Sequence, residues 1–456
     1  MEDLMQKKIG FVCFGEVNTP FERLKIKHDA ALGTMNGGVT GELYDAGIVI
    51  DDAAYATADA AIEKLLAADA DCLIVCVAGW VPTHAVIRVT DAFRHLPMLL
   101  WGLCGWREGG RLITTADQAA TTAIRPAFEA MHYRFKYIYN VIGKPEPVEK
   151  IEAFTNAAYA ARRLRSARVG TMGYRDMLLY GTQFEGNSMR GKLGVEVEPF
   201  EMLEMVQNVE TLDAQKVREG VAFVKENWTF EKECDDLILE TGVKYALAIG
   251  KKIEERGYRA VTLIDVDGMK KLLGFPPAMV FMLLEHYYGV LTVPENDVMG
   301  AVTQLIASGI TGQTVPYLEY YEFFENSMLI GVPDYIPAAA TDGSIRVLPT
   351  AFGLLSSSLL NVSRVKTGLV TCMRLIYIDG AYRMHMYLAD AKAPEPWEEC
   401  GWVPPAPQLP SLEVIPQDCT VEEFAQKVSS QHVIVCYGDH REAVRDFCKL
   451  LDIKLL

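Results

Sequence analysis

No stretch of this sequence approaches the roughly 20 consecutive apolar residues that a membrane-spanning helix requires, although half of its residues are hydrophobic. Positive charge is also scarce: 44 Lys and Arg face 60 Asp and Glu, a formal net charge of −16. Nucleic acids and anionic membranes are held through basic patches, so neither is an expected partner, and a small, neutral or well-solvated substrate fits better. No G-x-G-x-x-G follows the first apolar run, KIGFVCFG, which argues against a dinucleotide. That run is short, reads as a strand and lacks a cleavage-site pattern. The ten cysteines are scattered, mostly inside apolar runs, and read as reduced thiols of a cytoplasmic protein. Cys72 and Cys76 form a C-x3-C, but a strand points both to one buried face, a poor arrangement for a metal. There is no internal repeat. The one biased segment, APEPWEECGWVPPAPQLPS, holds six prolines and is an extended crossing rather than an element.

What is present is periodic. A chain of 456 residues implies about two or three domains. Residues 1–165 alternate continuous apolar runs (KIGFVCFG, GELYDAGIVI, DCLIVCVAGW, LPMLLWGLCG) with amphipathic ones (AAYATADAAIEKLLAA, THAVIRVTDAFRH). Apolar strands separated by helices imply a parallel sheet covered on both faces. Ligands then belong at the strands' carboxyl ends, here around Glu16, Trp80, Trp101 and Trp106. A second α/β unit, 166–340, begins near ARVGTMGYRDM and includes a long helical region from about 212 to 257. From 341 to 456 the pattern becomes antiparallel, with Asp-Gly hairpin turns, as in TGLVTCMRLIYIDGAYRMHMYLAD, before a last strand and helix. The expected fold is α/β: two Rossmann-like or flavodoxin-like doubly wound domains followed by a mainly antiparallel β domain.

Three places carry chemistry. In LTVPENDVMGAVTQLI (291–306) an apolar run hands over to a helical pattern; Asn296 or Asp297 suits a helix cap, which leaves Glu295 without a role. In TVPYLEYYEFFENSMLIG, the acids Glu319, Glu322 and Glu325 interrupt aromatic residues, as an exposed edge strand or as a site, because a carboxylate among aromatics must be solvated, paired or metal-bound. His432, in SSQHVIVCYGDH, opens an apolar strand and is either a structural histidine or a ligand. Two carboxylates and one imidazole together form a donor set for Mn²⁺ or a similar divalent ion with positions left for oxygen donors.

With these segments in view, the chain resembles the L-fucose isomerase and L-arabinose isomerase superfamily, most strongly over 258–337. There YRAVTLIDVDGMKKLLGFPPAMVFMLLEHYYGVLTVPENDVMGAVTQLI follows the arabinose isomerase order of strand, acidic glycine turn, helix, Tyr-Gly and acidic turn before a helix. The resemblance implies that Glu295 is a metal ligand. It implies Glu319 as the second, at the fucose-type interval of 24 residues, and His432 as the third, through the match of SQHVIVCYGDHREAVRDFCKLLDIKL to the arabinose type. Arabinose isomerases carry one further histidine ligand where this chain has Val332, Pro333 or Asp334 in LIGVPDYIP, so three ligands remain. The sugar-contacting residues of the first domain are not reproduced; Glu16 stands where a Gln is expected.

What the resemblance implies is a metal-dependent aldose–ketose isomerase using Mn²⁺, Co²⁺ or Mg²⁺, with Glu295 and Glu319 as ligands and acid/base pair. It also implies a homo-oligomer with the active site at a subunit boundary. In that picture Trp80, Trp101 and Trp106 enclose the sugar or pack a core. Arg175, in GYRDM, holds an anionic substituent or pairs with Asp176. Two alternatives are an isomerase for an acidic or otherwise substituted sugar, and a sugar-binding relative without catalysis.

Overall fold

The computed structural model describes residues 6–333, 335–350, 358–400 and 406–456. The fold is mixed α/β, with parallel sheets and an antiparallel β region toward the C-terminus. The chain divides into two compact units, residues 1–162 with 442–452, and residues 163–441 with 453–456.

In the first unit five strands, β1 (Lys8–Phe14), β2 (Glu42–Val49), β3 (Cys72–Val77), β4 (Met98–Gly102) and β5 (Phe135–Tyr139), form a parallel sheet in the order β2-β1-β3-β4-β5. Every residue of β3 and β4 is buried, which is why both read as unbroken apolar runs. Helices α1 (Phe21–Gly38), α2 (Ala56–Ala68), α3 (Thr83–Thr90), α4 (Asp117–Ala130) and α5 (Val148–Arg165) make the connections. Cys72 and Cys76 are both buried in β3. The late segment 442–452 also belongs to this unit: the β5 residue Lys136 bonds Glu442 and Asp446 at 2.7 and 2.6 Å.

The second unit opens with a four-stranded parallel sheet of β6 (Arg168–Met172), β7 (Glu196–Phe200), β8 (Ala260–Leu263) and β9 (Leu291–Val293), in the order β9-β8-β6-β7. Its helices are α6 (Met202–Val209), α7 (Ala214–Asn227), α8 (Asp236–Arg256), α9 (Ala278–Tyr288) and α10 (Val298–Thr311). The long helical region expected from about 212 to 257 consists of two helices. Asp213 and Asp235 each cap a start, accepting from Gln215 and Leu237 N–H, and between them Thr229–Phe230 is a short strand paired with Arg346–Pro349. Cap chemistry and strand pairing override the helical composition there. Residues 351–353 of the apolar run SIRVLPTAFG lie outside the described residues, as do 401–405 of the proline-rich segment.

Seven further strands of the unit form its largest sheet: β10 (Tyr317–Phe323), β11 (Met328–Gly331), β12 (Gly368–Ile378), β13 (Ala381–Lys392), β14 (Ser411–Pro416), β15 (His432–Tyr437) and β16 (Lys454–Leu455). Their order is β12-β15-β10-β11-β14-β13-β16, and β12 also pairs with β13, so six antiparallel strands close on themselves. Closure leaves no open edge among the six. The Asp-Gly hairpin forms as expected: Ile378 pairs with Ala381 across a two-residue loop whose Asp379 and Gly380 both have positive φ. Helix α11 (Arg441–Leu450) follows β15. Among the described residues no helix is long and apolar enough to cross a membrane.

Candidate metal centre

The parallel sheet of the second unit delivers the turn Pro294–Asp297 from the carboxyl end of β9 to the start of α10. Asp297 is the cap, its Oδ1 accepting from Gly300 N–H at 2.9 Å. Asn296 is not: its amide donates to the carbonyls of Met172 and Tyr174. Glu295 and Asn296 both have positive φ, 61° and 49°, which non-glycine residues adopt rarely and hold only when surroundings impose it. Here the Asp265 carboxylate accepts from Glu295 N–H and the Leu263 carbonyl accepts from Asn296 N–H. The turn is thereby locked with the Glu295 side chain toward the barrel strands.

The other two groups come from neighbouring barrel strands. Glu319 on β10 stands directly opposite His432 on β15 in the antiparallel register, so pairing alone sets them side by side. His432 Nε2 lies 3.3 Å from Glu295 Oε2 and 3.7 Å from Glu319 Oε1. One donor atom from each of the three residues lies within 4.8 Å of the others. Glu295 and His432 are buried; Glu319 is half-buried and is the accessible member. Glu322 and Glu325 are exposed and take no part in this group.

Behind this group is a layer that sequence reasoning did not reach. His432 Nδ1 faces Asp297 Oδ2 at 3.6 Å, leaving Nε2 toward the two glutamates. A carboxylate behind an imidazole fixes the tautomer and orientation of a metal-binding histidine. Asp297 is held in turn by Arg374 of β12, whose two terminal nitrogens donate to Oδ2 and Oδ1 at 2.6 and 2.9 Å, and by the Tyr317 hydroxyl at 2.8 Å. The Tyr317 ring stacks on His432 with centroids 4.5 Å apart. Gln431 donates to Glu295 Oε2 at 3.4 Å. Gly300 is needed inside α10 because a Cβ there would sit 2.7 Å from Asp297 Oδ2 and 2.9 Å from the Arg374 guanidinium. One signal was available: Arg374 is a lone charge in the apolar run VTCMRLIYI, and such an arginine requires a buried acid. Which acid was not written locally.

The charges follow from this geometry. Burial pushes the Asp297 carboxyl up, but the Arg374 guanidinium and the bonds from His432 and Arg374 outweigh it and hold it well below the usual range. Burial likewise pushes the His432 imidazole down, yet its bonds to Asp297 and Glu319 and the Glu295 charge raise it to about 9. A folded value above the ordinary 6.5 means that protonated His432 stabilises the metal-free protein fully below that pH, and the contribution is lost as pH rises through about 9. A divalent ion must displace this proton. Its apparent affinity is therefore expected to rise about tenfold per pH unit up to about pH 9 and then level off, as measured by competition with a chelating dye. A flat profile over that range would contradict the proton-loaded histidine.

No protein-family model matches the chain, and no curated protein matches it either. Fold alone does not assign an activity, so the site's own chemistry has to carry it.

The other residues singled out in the sequence fall in two places. Glu16, Trp80, Trp101 and Trp106 belong to the first unit. Trp101 is fully buried, its indole N–H donating to Asn140 at 2.7 Å, so it packs a core. Trp80 is 41% exposed, Glu16 is half-buried, and the half-buried Trp106 ring carries the Arg23 guanidinium at 5.3 Å. Arg175 is in the second unit, over the Tyr180 ring at 4.9 Å. Val332 is buried and Asp334 lies outside the described residues. Among the described residues, the candidate metal group contains neither Cys72 nor Cys76.

Proposed function

We propose that this protein is a divalent-metal-dependent aldose–ketose isomerase. The observation that carries the reading is the convergence of Glu295, Glu319 and His432 within 4.8 Å at the carboxyl end of a parallel sheet. Two carboxylates and an imidazole oriented by Asp297 fit Mn²⁺, Co²⁺ or Mg²⁺ as a donor set that leaves positions for substrate oxygens. The same reading carries the finer architecture, two doubly wound α/β domains ahead of a β domain. It also carries a homo-oligomer whose active site lies at a subunit boundary, with Glu16, Trp80 and Trp106 as candidates to contact the sugar.

Moving a carbonyl between C1 and C2 requires removing a proton from carbon beside a carbonyl and returning it to the neighbouring carbon. A bound divalent ion would supply Lewis-acid stabilisation of the charge that develops on the sugar oxygens. The chain's own part is positioning and proton transfer. His432, held by Asp297 and stacked on Tyr317, fixes one side of the site. Glu319 is half-buried and Glu295 buried, and on this reading the accessible carboxylate and its buried neighbour take and return the proton.

The test is turnover of a panel of aldoses and ketoses, deoxy and acid-substituted sugars included, by metal-stripped protein with and without added Mn²⁺. The expected result is Mn²⁺-dependent interconversion of at least one pair. Failure of the stripped protein to bind any of the three ions would overturn the site.

A further inference from the structure

Glu295 and Asn296 are consecutive but line different spaces. Glu295 meets His432 and Gln431, whereas Asn296 reaches back to β6 and lines a cavity of about 410 Å³ at the carboxyl ends of β6 and β7. The Asn296 Oδ1 has no hydrogen-bond partner among the described residues. Thr171, Tyr174, Arg175, Gln183 and Val197 contribute to the walls. In a chain whose acids outnumber its bases by 60 to 44, the described residues that line this cavity include one cation, Arg175, and no carboxylate.

Among the described residues Arg175 has no ion partner, which follows from the way its loop is built. The adjacent Asp176 is fully buried and turned inward, accepting from Val266 and Asp267 N–H at 2.8 and 2.7 Å. Asp267 in turn accepts from Met177 N–H at 2.9 Å. These bonds hold Met177 and Leu178 at positive φ, 46° and 55°. Among the described residues no carboxylate pairs with the Arg175 guanidinium, which rests on the Tyr180 ring. A half-buried guanidinium with an aromatic support and no acid is a receptor for an oxyanion, because its planar fork matches two oxygens at once. The volume lies within the range of small-molecule sites.

We infer that this cavity takes the anionic end of the substrate, which is then a polyhydroxylated aldehyde or ketone terminating in an oxyanion: a phosphate monoester, a sulfonate or a carboxylate. The inference rests on the isomerase reading for the reacting end of that molecule, since Glu295 and Asn296 share one turn. Arg175 is the specificity-determining residue.

The experiment is calorimetric titration of the Mn²⁺-loaded protein with sorbitol, sorbitol 6-phosphate and gluconate, none of which needs to turn over. The two acids include one expected to bind about tenfold or more tightly than sorbitol, and Arg175→Ala is expected to remove that preference. Arg175→Gln, which keeps most of the side-chain length over Tyr180, is expected to do the same and guards against a disturbed loop. Equal affinities for all three probes, or a preference that survives both substitutions, would overturn the inference. The outcomes separate it from the isomerase reading. Arg175-dependent preference without turnover of any sugar pair keeps the anion cavity and discards the isomerase; turnover of neutral sugars with no preference does the reverse.

Discussion

Glu295→Gln is expected to abolish divalent-metal retention and to lower turnover by about a thousandfold or more, with the fold intact. Glu295 supplies one of two negative charges in the donor set, and an amide oxygen at that position cannot repay the dehydration of a divalent ion as a carboxylate does. The substitution changes neither the volume of the side chain nor the turn that carries it, because the backbone at 295 is held by the Asp265 carboxylate and the turn by Asn296. The measurement is metal content after dialysis, alongside turnover and circular dichroism. Retained metal with retained turnover would remove Glu295 from the site; a lost fold would show that its charge is structural.

Arg374→Met is expected to be the largest single loss of stability, about 3–5 kcal/mol, by the rule for breaking one side of a buried ion pair. The Arg374 and Asp297 side chains are 3% and 0% exposed, so removing the guanidinium strands a carboxylate with only Tyr317, Gly300 N–H and His432 to answer it. Replacing both partners by apolar residues of similar volume, as in Asp297→Leu with Arg374→Met, is expected to recover much of that stability, because no buried charge is then left unpaired. It should still weaken metal binding by about 10- to 100-fold, since His432 loses the carboxylate that orients it. Urea unfolding followed by circular dichroism, with metal titration of each variant, separates the two roles. A loss under about 1 kcal/mol for Arg374→Met would mean that solvent reaches Asp297.

Much of the local structure was legible because local physics decides it. The strands of the first sheet are buried on both faces and so read as unbroken apolar runs, and the Asp379-Gly380 loop is dictated by the positive φ that a two-residue hairpin needs. The helical region at about 212–257 was legible but its break between α7 and α8 was not, because the helical composition on either side is continuous, while the caps at Asp213 and Asp235 and the partner strand at 346–349 compete with it. The cap at 297 was half legible: two Asx residues stand there, and only the carbonyls of Met172 and Tyr174 show why Asn296 is drawn away.

By itself, then, the sequence determined the kinds of elements and the acidic balance, which are matters of residue type and short-range spacing, and offered Glu295, three glutamates at 319–325 and His432 as candidates; the choice of Glu319 and His432 came from the family resemblance. Only the tertiary structure decided that Glu319 faces His432 across a ladder, that the lone Arg374 finds Asp297 at a separation of 77 residues, that residues 442–452 join the first unit, and that no acid among the described residues pairs with Arg175. The physical reason is one of range. Hydrogen-bond periodicity and capping act over a few residues and leave a mark in the sequence there, whereas a buried charge or an unclaimed helix face states only that a partner must exist, and packing chooses which one.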